Sequence, residues 1–289
     1  MTVSSAADDR PILPGERSGV LHPGNLVRYD AHWIVPDPSV ATVVDQYWYV
    51  SWALPDGEAL DQRIIDLPAI TVTIEAGDVP APLVVTGVQG GAWRRTIRGR
   101  GHVFALRLRP AGLAVLSGLT PEQLADTALP LTEALDPRLH DFLCRIAAQP
   151  TPADRAGLAD QLIRQRLAER PPSVSERLAN QVLDELRSRI HTRTGLPLAQ
   201  QFHVHERTIQ RALQGTLGHG PKWISRRIRL QEAALALATR PDDELAVIAA
   251  ELGYTDQSHL TGDFRAITGI TPSRYRQDLA RLQGDPTDP

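Results

Sequence analysis

The same pattern occurs twice in the sequence, as LAQQFHVHERTIQRAL at 198–213 and as IAAELGYTDQSHLTGDF at 248–264. In each copy a short segment with an aliphatic residue and an alanine is followed by a turn residue and an apolar residue, Val204 or Tyr254. A second segment then carries apolar residues four positions apart, which indicates a helix with one buried face. Two short helices joined by a tight turn are the helix-turn-helix arrangement. The sequence therefore predicts two such modules.

The two copies stay in register beyond the second helix, which indicates a duplication. At one constant offset the matched pairs are Ile209 with Leu260, Leu213 with Phe264, Gly218 with Gly269, and Pro221 with Pro272. Between the copies, the run from Lys222 to Thr239 contains no Gly or Pro and is rich in helix formers. A helix of about 18 residues would be roughly 27 Å long. Helices held at its two ends would suit successive major grooves, which lie about 34 Å apart along B-DNA.

Three stretches in the second copy and after it resemble the signature of AraC/XylS-type transcriptional regulators. They are GYTDQSHL at 253–260, Phe264-Arg265, and TGITPSRYR at 268–276. The resemblance implies a regulator that binds double-stranded DNA sequence-specifically and has RNA polymerase as a partner. A regulator that acts through protein contacts, with helix-turn-helix modules that do not read DNA, is the alternative.

Two stretches nearer the N-terminus resemble an uncharacterised sensor-like domain that is often attached to such regulators. They are DQYWYV at 45–50 and FALRLRPAG at 104–112. This resemblance implies control by a small-molecule effector, which it does not identify. A homodimer is a further expectation for such a domain.

The family pattern implies DNA contacts from both modules, and the local positive charge adds the helix between them. The predicted contact residues are Arg207, Thr208, Gln210, Arg211, Lys222, Arg226, Gln257, Ser258, His259 and Thr261. Arginine pairs well with the edge of guanine and glutamine with that of adenine, whereas Ile209 and Leu213 should face the core. Six basic residues between 205 and 230, with Glu206 as the one acid, predict a basic face for phosphate contacts. A solvated helix face is the alternative explanation.

Gly262 departs from the family pattern, in which arginine is common at this position. The constant offset places it opposite Arg211. A glycine within a helix costs roughly 1 kcal/mol relative to alanine and offers no side chain to the groove. We expect the first module to carry most of the sequence specificity. Compensation by Arg265, one turn further on, is the alternative.

Composition narrows the class of protein. The chain of 289 residues suggests about two domains, and 42% hydrophobic with 22% charged residues is ordinary for globular protein. The single cysteine, Cys144, excludes a disulfide framework and a multi-cysteine zinc site. No secretory signal and no run of 18 apolar residues are recognisable, so we expect a soluble, cytoplasmic protein. The net charge of −3 does not by itself indicate a polyanionic partner.

The predicted fold class is α+β. The predicted organisation is a disordered tail at 1–17, a β-rich effector or dimerisation domain with a helical C-terminal part at 18–172, the all-α double helix-turn-helix domain at 173–280, and a tail at 281–289. The predicted strands are Val43–Val50, Ile70–Ile74, Leu83–Val88, Trp93–Ile97 and Val103–Leu108. Short strands with turn-rich connections suggest a barrel or sandwich, cupin-like by analogy with other AraC-type effector domains. Gly87–Gly91 is interpreted as a hairpin turn.

Helices are predicted from Pro110 onward. A stripe of Leu135, Leu139, Phe142 and Ile146 recurs at helical spacing. It would either pack on the β-rich part of the chain or form a dimer seam. The stretch Pro171-Pro172-Ser173 is the predicted domain boundary.

The N-terminal half offers titratable side chains but no catalytic pattern. His32, Asp45, Asp66, Glu75, Asp78 and His102 are scattered, without metal-ligand spacing, a nucleophile motif or a phosphate-cradling loop. We therefore expect neither an enzyme nor a cofactor or metal site. The residues Trp48, Trp52, Trp93 and Arg94 could line a pocket for an aromatic or acidic effector. The alternative is that the aromatic side chains form core.

Overall fold

A β-rich region and a helical region make up the chain, and the computed structural model describes residues 9–17, 19–191 and 196–284. The strands are β1 (Asp9–Pro11), β2 (Tyr29–Ile34), β3 (Val44–Ala53), β4 (Ala59–Ile64), β5 (Thr71–Gly77), β6 (Leu83–Thr86), β7 (Trp93–Arg98), β8 (Arg100–Leu108) and β9 (Ala128–Pro130). The helices are α1 (Gly112–Leu116), α2 (Pro121–Leu124), α3 (Pro137–Ala147), α4 (Pro152–Glu169), α5 (Val174–Ser188), α6 (Leu198–Gln201), α7 (Glu206–Leu217), α8 (Pro221–Thr239), α9 (Leu245–Glu251), α10 (Gln257–Thr268) and α11 (Pro272–Gly284). The predicted α+β class is confirmed.

Seven strands form one antiparallel sheet in the order β1-β2-β3-β8-β5-β6-β9, and β4 pairs with β7 in a separate two-stranded sheet. The edge strands β1 and β9 do not pair with each other within the described ranges, so the larger sheet is open. Of the two predicted architectures, a barrel or a sandwich, the closed barrel is wrong. Both edges are short and carry a proline, Pro11 or Pro130, a feature that discourages pairing with another chain.

The two faces of the larger sheet have different coverings. On the helix face, Tyr47 stacks on Phe104 with ring centroids 5.8 Å apart and donates to Asp160 of α4 at 2.7 Å. On the opposite face, Trp52 is buried in a cluster with Leu60 and Ile97 of the β4–β7 pair. We call this second side the β4–β7 face. Alternation along each strand sends neighbouring residues to opposite faces.

All five predicted strands are present, with small shifts at their ends, whereas β1, β2, β4 and β9 were not predicted. The disordered-tail prediction is wrong for residues 9–17, because β1 pairs with β2 and Arg10 forms an ion pair with Glu16. Residues 1–8 lie outside the described ranges. The hairpin interpretation of Gly87–Gly91 is also wrong, because this segment connects β6 and β7, which belong to different sheets. Gly87 is required there, since a Cβ would lie 1.9 Å from the Leu124 carbonyl oxygen.

Helices follow Pro110, where the sequence predicts them, and the first, α1, begins at Gly112. Ser173 and Glu176 form a capping box at the start of α5, directly after the predicted boundary. On α3, Leu139, Phe142 and Ile146 are buried within the chain itself. The packing interpretation of that stripe is confirmed, and only Leu135, before the helix, stays exposed. The C-terminal tail prediction is wrong for residues 281–284, because α11 continues to Gly284.

Two helix pairs, α6–α7 and α9–α10, form the predicted modules, with α8 between them. The 19 residues of α8 correspond to about 28 Å at 1.5 Å per residue. Gly218 and Gly269 end α7 and α10 in the left-handed conformation, with φ of 74° and 75°. Because a side chain is disfavoured at such a C-cap, the repeated glycines mark the duplication. No helix in the described part of the chain is long and apolar enough to cross a membrane.

Candidate nucleic-acid interface

The turn within each module is closed by the same backbone hydrogen bond. Val204 N–H donates to Ala199 O at 3.0 Å in the first module, and Tyr254 N–H donates to Ala249 O at 2.9 Å in the second. The left-handed residue of the turn is His203 in one copy and Gly253 in the other, with φ of 52° and 80°. The apolar residue after each turn thus has a fixed place, which sets the angle of the second helix.

The second helix of the first module, α7, exposes the residues that the sequence assigned to DNA. Arg207, Thr208, Gln210 and Arg211 are all exposed. Ile209 and Leu213, on the other side of α7, are 2% and 0% exposed. Apolar packing therefore fixes one face of the helix and leaves the opposite face, with its two guanidinium groups, free to meet a partner.

The corresponding helix of the second module, α10, has a different exposed face. Gln257, Ser258 and His259 are exposed and Thr261 is half-buried. Asp256 caps the helix by accepting a hydrogen bond from His259 N–H at 2.8 Å. Gly262 is exposed, and an added Cβ would meet no described heavy atom within 4 Å.

Of the two predicted contact residues on α8, Lys222 is exposed and Arg226 is paired within the chain. Arg226 donates to both carboxylate oxygens of Asp263 on α10, from Nε at 2.9 Å and from Nη2 at 2.7 Å. The guanidinium is thus held by a neighbouring helix of the same chain.

The predicted basic face is wrong at Arg227, which is 2% exposed. Its Nε donates to the Asp66 carbonyl oxygen at 3.0 Å, and its Nη2 donates to the Asp66 carboxylate and, at 2.9 Å, to Gly91 O. Both acceptor residues belong to the β-rich region. The half-buried Arg229 lies with its guanidinium 5.2 Å from the centroid of the Tyr254 ring. Adjacent arginines on α8 therefore have separate tasks.

The second module has further contacts with the β-rich region. Ala92 N–H donates to Ile267 O at 3.1 Å, and the Arg63 guanidinium donates to Thr268 O at the end of α10. The buried hydroxyl of Tyr275 on α11 accepts from Gly19 N–H at 3.0 Å. Nothing in the sequence indicates this junction, because backbone acceptors such as Gly91 O are not recognisable from residue type.

Of the four carboxylates considered as catalytic candidates, Asp45, Asp66 and Glu75 form ion pairs within the chain. Burial disfavours the charged form of Asp45, but Arg107 and Arg187 outweigh burial and hold its pKa at about 2. Burial raises the pKa of Asp66, and Arg227 opposes this. On the β4–β7 face, Glu75 of β5 forms an ion pair with Arg95 of β7 at 2.8 Å. The described ranges hold no group of three His, Cys, Asp or Glu residues suited to a metal ion.

The structure does not bring the four predicted ligand residues together. Trp48 packs edge-on against Trp33, with centroids 6.1 Å apart. Trp93 is half-buried on β7, and Arg94, next to it, is exposed on the opposite face of that strand. Arg95, rather than Arg94, faces the larger sheet, with its guanidinium 5.9 Å from the Trp52 ring centroid. The alternation of Trp93, Arg95 and Ile97 was the signal that could have indicated this.

An open groove of about 640 Å³ lies at one end of the larger sheet and includes Trp52. Its other lining residues are Val27, Arg28, Tyr29, Asp30, Tyr49, Ser51, Ala53, Ala76, Gly77, Arg100, Gly101 and His102. The rings of Tyr49 and His102 are in contact there, with centroids 5.7 Å apart. Burial, followed by the charge of Arg155, lowers the pKa of His102.

Comparison with known proteins places the duplicated module in a class. A family model described as "Helix-turn-helix domain" matches residues 198–278, and one described as "Domain of unknown function (DUF6597)" matches residues 32–130. The duplicated module is therefore similar to known helix-turn-helix domains. It follows an antiparallel β-sheet domain whose function is not known.

Two curated relatives are similar to part of the chain. The uncharacterized HTH-type transcriptional regulator YisR of Bacillus subtilis is 31% identical over 111 residues, which are 38% of each chain. The HTH-type transcriptional activator RhaS of Pectobacterium atrosepticum is 34% identical over 79 residues, 27% of this chain and 28% of that protein. The chain thus spans well under half the length of these relatives. The names of both describe transcriptional regulators.

Among solved structures, ToxT from Vibrio cholerae is similar over 81% of this chain and 98% of its own. The sequence identity is 8% and the TM-score is 0.42.

Proposed function

We propose that this protein is a transcriptional regulator that binds double-stranded DNA sequence-specifically through α7 and α10. The observation that carries the proposal is the exposed face of α7, where Arg207, Thr208, Gln210 and Arg211 stand opposite a fully buried apolar face. The 19-residue α8 between the two modules is about 28 Å long, close to the roughly 34 Å of one turn of B-DNA. RNA polymerase as a partner and a cytoplasmic location belong to the same proposal.

Nuclease footprinting of the gene's own and neighbouring promoters tests DNA recognition. We expect a protected site with two segments about one helical turn apart on one face of the duplex. The double variant Arg207→Ala, Arg211→Ala should lose protection while keeping the wild-type circular dichroism spectrum. If the wild-type protein protects no site, with and without candidate effectors, the alternative of a regulator that acts through protein contacts is favoured.

We also propose that an aromatic or acidic small molecule controls the protein by binding in the groove at the end of the sheet. The Tyr49 and His102 rings offer aromatic surface, and Ser51 and Arg100 offer a hydroxyl and a guanidinium in the same groove. Concave sites that combine aromatic surface with a few polar groups are typical of ligand pockets.

A thermal-shift screen of the full-length protein with aromatic acids and other metabolites tests this site. A ligand at about 100 times its Kd should stabilise the protein by about 2.7 kcal/mol. Ser51→Trp, which fills the groove, should abolish the shift, whereas Arg94→Ala should preserve it. The opposite pattern would favour the ligand residues predicted from sequence. Sedimentation of the same samples measures whether the protein is a dimer.

A further inference from the structure

The link between α8 and α10 is a bidentate ion pair. Both oxygens of Asp263 accept from the Arg226 guanidinium, at 2.9 and 2.7 Å. Two parallel charge-assisted bonds fix direction as well as distance. The Asp263 side chain is 14% exposed and that of Arg226 is 42% exposed, so the carboxylate depends on its partner more than the guanidinium does.

The Asp263 carboxylate also lies beside the first turn of α10. His259, one turn earlier on the helix, has its Nε2 4.0 Å from that carboxylate. The ring of Tyr254 meets the ring of His259 edge-on, with centroids 5.2 Å apart. Burial, followed by the nearby charge of Asp263, raises the pKa of Tyr254 to about 12. The ion pair thus belongs to a cluster that includes α8, the turn before α10 and its exposed face.

The first module has no counterpart of this pair. At the constant offset between the modules, Asp263 corresponds to Ala212, which is 1% exposed. Apolar contacts therefore place α7, whereas an ion pair contributes to the placement of α10. A recognition helix must be held within fractions of an ångström for base contacts to form.

We propose that Arg226 is a positioning residue for DNA recognition, which holds α10 on α8 through Asp263 and does not contact a phosphate itself. This rests on the proposed function as a DNA-binding protein. The pair sets the orientation of Gln257, Ser258 and His259 toward the distal half of the site. A guanidinium released to bind phosphate would leave a mostly buried carboxylate without its partner, which is costly.

Two substitutions give opposite results for a positioning residue and a phosphate contact. Asp263→Ala should weaken DNA binding if the pair positions α10. If Arg226 contacts phosphate, the same change should tighten binding, because it frees the guanidinium and removes a negative charge. Arg226→Lys keeps the charge but cannot form the same bidentate pair. It should therefore weaken DNA binding if Arg226 is a positioning residue, and leave binding almost unchanged if Arg226 contacts a phosphate.

The experiment measures DNA affinity at several salt concentrations for the full-length wild type and for Arg226→Ala, Arg226→Lys, Asp263→Ala and the double alanine variant. We expect each single alanine variant to bind DNA about tenfold more weakly, a change within the range of coupled charged pairs. The double variant should bind no more weakly than either single variant. Base preference in the distal half should relax in all of them. Lys222→Ala is the phosphate control, and its salt slope should fall by about 0.9. Tighter binding by Asp263→Ala, or additive losses, would overturn the proposal.

Amide hydrogen exchange of the DNA-free protein gives an independent readout. Exchange in residues 257–268 should become faster in both single alanine variants and stay unchanged in Lys222→Ala. Unchanged exchange in the Arg226 and Asp263 variants would overturn the positioning role, whatever the measured DNA affinities are. If the wild type binds no DNA, the proposed function fails, and the exchange data still decide whether the pair holds α10.

Discussion

The recognition helix of the first module, α7, and that of the second, α10, share a fold and differ in what they expose. The exposed face of α7 carries Arg207 and Arg211. On α10 the position matched to Arg211 is Gly262, and the next residue is the paired Asp263. The buried sides are alike: Leu213 and Phe264 occupy matched positions, each 0% exposed. Duplication has kept the residues that fold the module, while those that face outward have diverged.

The surroundings of the two modules differ as well. The first module meets the β-rich region through α2, where Pro121 lies near Gly218. The second contacts it through hydrogen bonds to the backbone oxygens of Ile267 and Thr268 and through the Tyr275 hydroxyl. We infer that the first module is the main reader of sequence, and that the second is the one through which the β-rich region acts on DNA binding.

The largest expected effect tests the similarity of the buried faces. Phe264→Ala should cost about 3–5 kcal/mol and Leu213→Ala about 2–5 kcal/mol of folding free energy, because each removes a fully buried side chain. Urea denaturation followed by circular dichroism measures both. Exposed Val247→Ala is the control and should change little. A loss below 1 kcal/mol at Phe264 would show that the second module packs less tightly than the first.

The second prediction tests the junction. Arg227→Ala should destabilise the protein by about 2–3 kcal/mol, at or just below the lower limit for a broken buried pair, since the Asp66 side chain remains 34% exposed. The loss should shrink at acidic pH, because Asp66 without its partner has a raised pKa and takes up a proton in the folded state. Thermal unfolding at two pH values measures this. Equal stability of Arg227→Ala and Lys222→Ala would show that Arg227 does not stabilise the junction.

The third prediction tests base reading by the first module. Arg211→Ala should cost about 1–3 kcal/mol of binding free energy and relax the preference at one base pair. Affinity for a set of single-base variants of the protected site measures it. Equal weakening on every sequence would make Arg211 a phosphate contact. Ile209→Val, on the buried side of α7, should leave the base preference unchanged.

How much the sequence could predict differs between the two regions for a physical reason. The exposed and buried sides of α7 follow from helical periodicity, which local sequence carries, so Arg211 and Leu213 were separated correctly. Arg226 and Arg227 are adjacent on a helix and look equivalent, yet one pairs with α10 and the other with Asp66. Only the docking of distant elements distinguishes them.

The same limit explains the errors in the β-rich region. The choice of Arg94 over Arg95 depended on which side of β7 faces the larger sheet, and pairing of β7 with β4, far earlier in the chain, decides that. The open sheet has a similar origin. Strand existence was readable from β-forming runs, but the order β3-β8-β5 is set by non-local pairing.

The smallest expected effect concerns Gly262, the position at which α10 most clearly differs from α7. Gly262→Arg should tighten DNA binding and sharpen the base preference in the distal half of the site. The backbone there is helical and exposed, with open space around an added Cβ among the described residues, so an arginine should fit without rearrangement. Part of the change is unrelated to DNA, because a glycine within a helix costs roughly 1 kcal/mol of stability relative to alanine.

Gly262→Ala separates these two contributions. Alanine should supply the gain in helix stability, roughly 1 kcal/mol in thermal or urea unfolding, without a side chain that reaches a base. If Gly262→Arg binds more tightly than Gly262→Ala and gains preference at a distal base pair, the second module lacks only a cationic reader. If the two variants bind equally, rigidity of α10 was limiting instead. If Gly262→Arg stays folded and binds no tighter than the wild type, Arg265 already serves as the reader, and the division of labour between the modules is wrong.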